Sequence, residues 1–170
     1  MIDQIDQILD KVTMYRLVIY ILSALVIIAA VGGAFGWIPF SPLAILGTTG
    51  FLLGMTWSTN ELFARVFNAP SNVESVLITA LILALIVSPA VSLSGLVFAS
   101  WAGVLAMASK YILAVRKKHV FNPAAVAVVL TAAGFGGIAS WWVGESFLVP
   151  FVAVGGYLVA LKAYKPDPAK

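Results

Sequence analysis

The chain has 170 residues, 62% of them hydrophobic and only 10% charged, with a mean hydropathy of +1.05. Soluble domains are typically about 45–50% apolar and 25% charged, so a soluble globule of this composition would lack the polar surface to cover itself. The net charge of +3 is spread between apolar runs, which is not a nucleic-acid stripe, and the absence of cysteine excludes disulfides, thiolate metal sites, iron–sulfur ligation and thiol catalysis.

A membrane span needs about 20 mainly apolar residues, because the hydrocarbon core is about 30 Å thick and a helix rises about 1.5 Å per residue. The amino-terminal MIDQIDQILDKVTMYR is polar and is followed by a long apolar run without a small-residue cleavage site, so a cleaved signal peptide is not expected. The first span is predicted over about Leu17 to Phe35, ending at GWIPFSP, where Trp37 suits an interface and Pro39 and Pro42 break the helix. The second covers about Pro42 to Thr59, followed by a separate amphipathic interfacial helix over Leu62 to Phe67. The third, about Val73 to Pro89, has Ser71 or Asn72 as its cap, and the Ser71 to Glu74 spacing fits a capping box. The fourth covers about Leu93 to Ala114. The fifth, about Ala124 to Gly137, is short and rich in Gly and Ala, and the sixth covers about Phe147 to Leu161.

The ten basic residues test this count, since cytoplasmic loops carry excess Lys and Arg. Lys11 and Arg16 precede the first span, Arg65 lies between the second and third, Lys110, Arg116, Lys117 and Lys118 end the fourth, and Lys162, Lys165 and Lys170 follow the sixth. The loops GWIPFSP, SPAVSLSG and GGIASWWVGE carry none. The expectation is therefore an all-α polytopic membrane bundle of about six transmembrane helices with both termini cytoplasmic. It forms one transmembrane domain over residues 1–170, with 1–16 and 163–170 as cytoplasmic segments around a 17–162 bundle, multi-pass in a bacterial or archaeal inner membrane.

Two polar segments stand out. In KYILAVRKKHVFNPAAVAVVL a basic cluster ends one helix and His119, the single histidine, leads to the next. Asn122 before Pro123 reads as a helix cap with proline at the first position, and the basic run as a positive-inside anchor touching anionic headgroups. The functional alternative is that Lys118, His119 and Asn122 converge on a polar cofactor or a quinone head. In MTWSTNELFARVFNAPSNVES, Asn60, Glu61, Arg65, Asn68, Asn72 and Glu74 crowd one connection, with more amides than a turn requires. There is no nucleotide-binding glycine loop, no zinc-protease motif and no Ser-His-Asp set. No Asp, Glu, Lys or Arg lies near mid-span, where a proton or ion relay would need one.

SKYILAVRKKHVFNPAAVAVVL, NAPSNVESVLITALILALI and SWWVG together resemble the NqrB/RnfD family of membrane electron-transfer subunits, over about Phe51 to Gly144, with KHVFNPAA the most specific segment. That family belongs to ion-pumping flavoprotein complexes passing electrons among NADH, ferredoxin and quinone. The resemblance implies a flavin, riboflavin or FMN, held noncovalently near His119 and Asn122, with Lys118, Phe121 and Asn72 as further contacts. It also implies a cytoplasmic FAD/NAD(P)-type reductase as electron partner. The family's Ser-Gly-Ala-Thr-like covalent-FMN sequence does not occur here, so a covalent flavin is not expected. Family members have about ten spans, and either a shortened branch or the membrane part of a larger protein fits six. Two other classes stay open: a cofactor-free transporter or channel lined by the glycine-rich helices, and a structural anchor for a reductase in which His119 and Asn122 only shape the turn.

Overall fold

The computed structural model describes residues 12–115, 118–119, 122–135 and 140–164. These form six helices: α1 (Met14–Ala34), α2 (Pro42–Val66), α3 (Val73–Ile86), α4 (Leu93–Ile112), α5 (Pro123–Phe135) and α6 (Val149–Tyr164). A two-residue antiparallel pairing of β1 (Ala114–Val115) with β2 (Lys118–His119) sits between α4 and α5, and a 3-10 turn over Trp142–Gly144 precedes α6.

The starts of α1 to α5 are written in short polar side chains. Thr13 accepts from the amide of Arg16 at 3.3 Å, Ser41 from Ala44 at 3.2 Å ahead of Pro42, Asn72 from Ser75 at 3.1 Å and Ser92 from Gly95 at 3.3 Å. Asn122 accepts from Ala124 at 3.0 Å with Pro123 at the first helical position, the capping arrangement its sequence suggested. Two helices end on a left-handed residue: Gly36 (φ 74) closes α1 with the Trp37 amide on Gly32 O at 2.8 Å, and Asn68 (φ 47) closes α2 with the Ala69 amide on Ala64 O at 3.0 Å.

The helix boundaries differ from the sequence expectation at two points. Residues 62–66 are not a separate interfacial helix but the last turns of a continuous 25-residue α2. No glycine or proline interrupts Thr56 to Val66, and the Asn60 side chain bonds to other elements instead of competing for its own backbone. The Ser71–Glu74 capping box does not form, because Asn72 takes the cap while Ser71 turns to Asn60 and Glu61, and Glu74 to Arg16.

α3 lies at the centre. On one side its Val76, Leu83, Ala84 and Ile86 share a core with Leu52 of α2, Ala99, Ala102, Ala106 and Met107 of α4, and Ala124, Ala127 and Val128 of α5. On the other, Leu81 and Leu85 pack with Leu25, Val26 and Ala29 of α1, Ile45 of α2, and Trp142 and Leu148. The alanines along α4 and α5 let those two backbones approach closely. A Cβ on Gly32 would meet the Phe147 ring at 2.7 Å and one on Gly155 would meet Ile21 at 2.6 Å, so α6 runs antiparallel along α1.

Interior hydroxyls turn back onto their own helices: Thr49 donates to Ile45 O at 2.7 Å, Thr56 to Leu52 O at 2.8 Å, Thr79 to Ser75 O at 2.8 Å and Thr131 to Ala127 O at 2.7 Å. The outward faces are as apolar as the core, with Val129 67% and Val154 61% exposed. α1 and α4 are long and apolar enough to cross a membrane. α3, α5 and α6 are apolar but have only 14, 13 and 16 residues, and α2 is long enough but diluted by Thr48, Thr49, Thr56, Ser58 and Thr59.

The two ends of the bundle differ chemically. Ion pairing of Arg16 with Glu74, the Lys110–Ser75 contact and the antiparallel run of α6 put Arg16, Arg65, Lys110 and Lys162 at one end. At the other, Trp37, Phe35, Phe40, Phe147 and Trp142 form an aromatic cluster, and Glu145 is the charged residue there among the described residues. Here buried Trp142 donates its indole N–H to Ala84 O and Val87 O, both at 3.0 Å, and the Trp141 amide donates to Ile86 O at 3.1 Å. The last carbonyls of α3 are thereby satisfied from outside the helix. Trp142→Phe keeps most of the packing but strands these acceptors, and it is expected to lower unfolding stability in detergent by about 1–3 kcal/mol, read from thermal unfolding by circular dichroism.

Candidate functional site

The basic end is organised around the first turn of α3. Asn60, near the end of α2 and 3% exposed, donates its Nδ2 to Ser71 Oγ at 2.8 Å and accepts at Oδ1 from the Tyr111 hydroxyl at 2.9 Å. Ser71 in turn donates its hydroxyl to Glu61 Oε1 at 3.1 Å. One residue on, Asn72 caps α3, and Glu74 meets Arg16 Nε of α1 at 3.2 Å. Ser75 receives Lys110 Nζ of α4 at both its carbonyl oxygen, 2.9 Å, and its hydroxyl, 3.2 Å. Three residues within five positions, Ser71, Glu74 and Ser75, therefore tie the start of α3 to α2, α1 and α4. Beside them Phe63, Phe67 and Tyr111 lie with ring planes within 26° of one another and centroids 5.8–6.0 Å apart.

Of the residues expected from sequence, Asn72, Asn122 and the Lys118–His119 backbone fall on this same end. Asn72 and Asn122 are exposed caps of α3 and α5, each using Oδ1 for a backbone amide. Among the described residues no acceptor meets either Nδ2, so each carboxamide keeps a donor for the carbonyl edge of a planar heterocycle. For Lys118 and His119 the described part is the backbone, which pairs Val115 with Lys118 and Ala114 with His119 and so folds the segment back onto the end of α4. Phe121 lies outside the described residues. Among the described residues no group of three or more metal-ligating side chains comes together.

Three members of the cluster were not anticipated as site residues: Lys110, Tyr111 and Ser75. Lys110 reads in sequence as one more topological charge, and nothing local says it turns inward. Asn60 was visible only as part of a surplus of amides in its connection. The chain matches no model of a known protein family, no curated protein and no solved structure.

Burial decides which contacts matter here. Arg16 and Glu74 have side chains 63% and 37% exposed, so their pair contributes at most about 1 kcal/mol. Replacing Asn60 by Leu leaves the Tyr111 hydroxyl only its longer contact, 3.4 Å, to the backbone carbonyl of residue 60 and frees Ser71, and is expected to cost about 1–3 kcal/mol. Thermal unfolding of Asn60→Leu beside Arg16→Gln is expected to rank them in that order, with an Asn60/Tyr111 double-mutant cycle returning a coupling of about 0.5–3 kcal/mol.

Proposed function

We propose that the chain is a multi-pass membrane subunit of an NqrB/RnfD-like electron-transfer system. In this reading it holds riboflavin or FMN noncovalently at its cytoplasmic end, against Asn122, His119, Lys118, Phe121 and Asn72, and takes electrons from a cytoplasmic flavoprotein reductase, with a quinone as candidate acceptor. The observation that carries the reading is the meeting, at one basic end, of KHVFNPAA with two Asn-capped helix starts that keep free amide donors.

The membrane part of the proposal rests on the apolar outward faces of the five helices that surround α3, which no soluble monomer of this size would expose so widely. Its orientation rests on the segregation of the basic residues, since Lys and Arg concentrate on the cytoplasmic side. At that side the amide ends of α3 and α5 present partial positive charge, suited to a reduced, anionic ring or a phosphate. A structural anchor is the second reading, favoured by the fact that both asparagine side chains already serve as caps.

Two measurements test these claims. Because the chain has no native cysteine, single substitutions report sidedness directly: Pro70→Cys is expected to label with a membrane-impermeant maleimide in inverted vesicles and Ser146→Cys in right-side-out cells, and labelling of both from one side would overturn the topology. The purified protein is expected to show flavin absorption with acid-releasable flavin. Asn122→Ser restores the cap but not the amide, so it should recover the stability lost in Asn122→Ala while still losing flavin. Wild-type flavin retention in both variants, or a colourless wild type, would favour the anchor.

A further inference from the structure

Exposed amphipathic aromatics mark the height of the outward apolar wall. At the basic end Tyr20 of α1, Trp57 of α2 and Tyr157 of α6 are 60%, 53% and 64% exposed. Each stands about one turn inside polar residues of its own helix: Arg16 precedes Tyr20, Asn60 and Glu61 follow Trp57, and Lys162 follows Tyr157. Tyr20 and Tyr157 share a level, because α6 runs antiparallel along α1 with Gly155 against Ile21. At the other end Phe35 and Trp37 stack with centroids 4.9 Å apart, and Trp141 is exposed at the end of α3. Rings of this kind carry an apolar body and a polar tip, and they gather at headgroup level. Trp101, midway along α4, stands outside both rows.

The two rows lie close together. Tyr20 to Phe35 on α1, and Pro42 to Trp57 on α2, are each a climb of about 22 Å at the helical rise. The central α3 passes from the Arg16–Glu74 pair to the Trp141 amide on Ile86 O in 14 residues, about 21 Å. Tilting the helices lowers these heights and cannot raise them. A typical hydrocarbon core is about 30 Å thick, roughly 8 Å more than the wall. In such a bilayer the Tyr20, Trp57 and Tyr157 tips would enter hydrocarbon, followed by the Arg16–Glu74 level, unless the lipid gave way. We infer that the outward wall is fitted to short-chain lipid, with a hydrocarbon core of about 22 Å, and that the bundle thins a thicker bilayer around itself. This inference rests on the membrane reading above and is independent of any flavin.

The test is reconstitution of the full chain into vesicles of dimyristoleoyl, dioleoyl or dierucoyl phosphatidylcholine. Competition of each lipid with its brominated dioleoyl analogue is read from quenching of the exposed tryptophans, and gives relative lipid affinity. The dimyristoleoyl lipid is expected to be preferred over dioleoyl by roughly two- to fivefold, with dierucoyl weaker again. A variant carrying Tyr20→Leu, Trp57→Leu and Tyr157→Leu raises the wall by one turn, to about 27 Å, and its optimum is expected to move toward dioleoyl. These side chains are exposed, so the bundle should stay packed. If circular dichroism shows lost helix, Trp57→Leu alone gives the same readout with a smaller shift. A wild-type optimum at dioleoyl or longer, or an optimum that the variants leave unmoved, would overturn the inference while leaving the membrane reading intact. A wild type that alkaline carbonate strips from the vesicles would overturn the membrane reading, and this inference with it.

Discussion

The first turn of α3 is the constraint on which the basic end depends. A helix start has four backbone amides without intrahelical partners, and in an apolar chain it is one of few places where polar side chains can gather without being stranded. Here Ser71, Asn72, Glu74 and Ser75 reach respectively α2, their own helix, α1 and α4. The levels of four helices are thereby fixed against one another by contacts of unequal strength. The exposed Arg16–Glu74 pair adds little, whereas the Asn60 and Lys110 contacts cost more to break because those two side chains are themselves buried.

Away from that turn, the bundle holds polar atoms by closing them on themselves. Threonine hydroxyls bond the carbonyl one turn back, so Thr49, Thr56, Thr79 and Thr131 sit in the core with no need of a partner helix. The far end of α3 is closed by Trp142, whose indole supplies the donor that the two carbonyls lack and whose ring fills the space between α1 and α3. Trp141 is held at φ 48 beside it, a left-handed conformation that a bulky side chain adopts at a cost of about 1–2 kcal/mol. That cost is tolerated because the turn places the Trp141 amide on Ile86 O and the Trp142 ring in the core together.

Much of this was legible in the sequence. Apolar run lengths and the punctuation by Pro42, Asn72, Ser92 and Asn122–Pro123 located all six helices, because caps and proline are local signals. The extent of α2 past Thr59 was not legible: the polar residues that suggest an interface in sequence are the ones that bond across to Ser71 and Tyr111. Lys110 illustrates a deeper limit. Its neighbours in sequence mark it as a helix-end charge, and only the packing of α4 against α3 turns the side chain inward onto Ser75. Of the candidate site, the Asn122 cap could be read from position alone and the α3 cap only as Ser71 or Asn72, while the Asn60–Ser71–Tyr111 network depends on contacts up to 51 residues apart.

The contrast between the two ends is what directs attention to one of them. At the aromatic end the terminal carbonyls of α3 are met by protein donors, and Trp142 and Leu148 seal the space above them. At the basic end Asn72 and Asn122 each satisfy one amide of the four that begin a helix, and do so from exposed positions. Among the described residues no side chain meets the remaining amides of α3 and α5, and the buried Lys110 ammonium at the same end is met by the two Ser75 oxygens. An arrangement selected for stability alone would cap those helices with carboxylates and fill the Lys110 position with an apolar side chain.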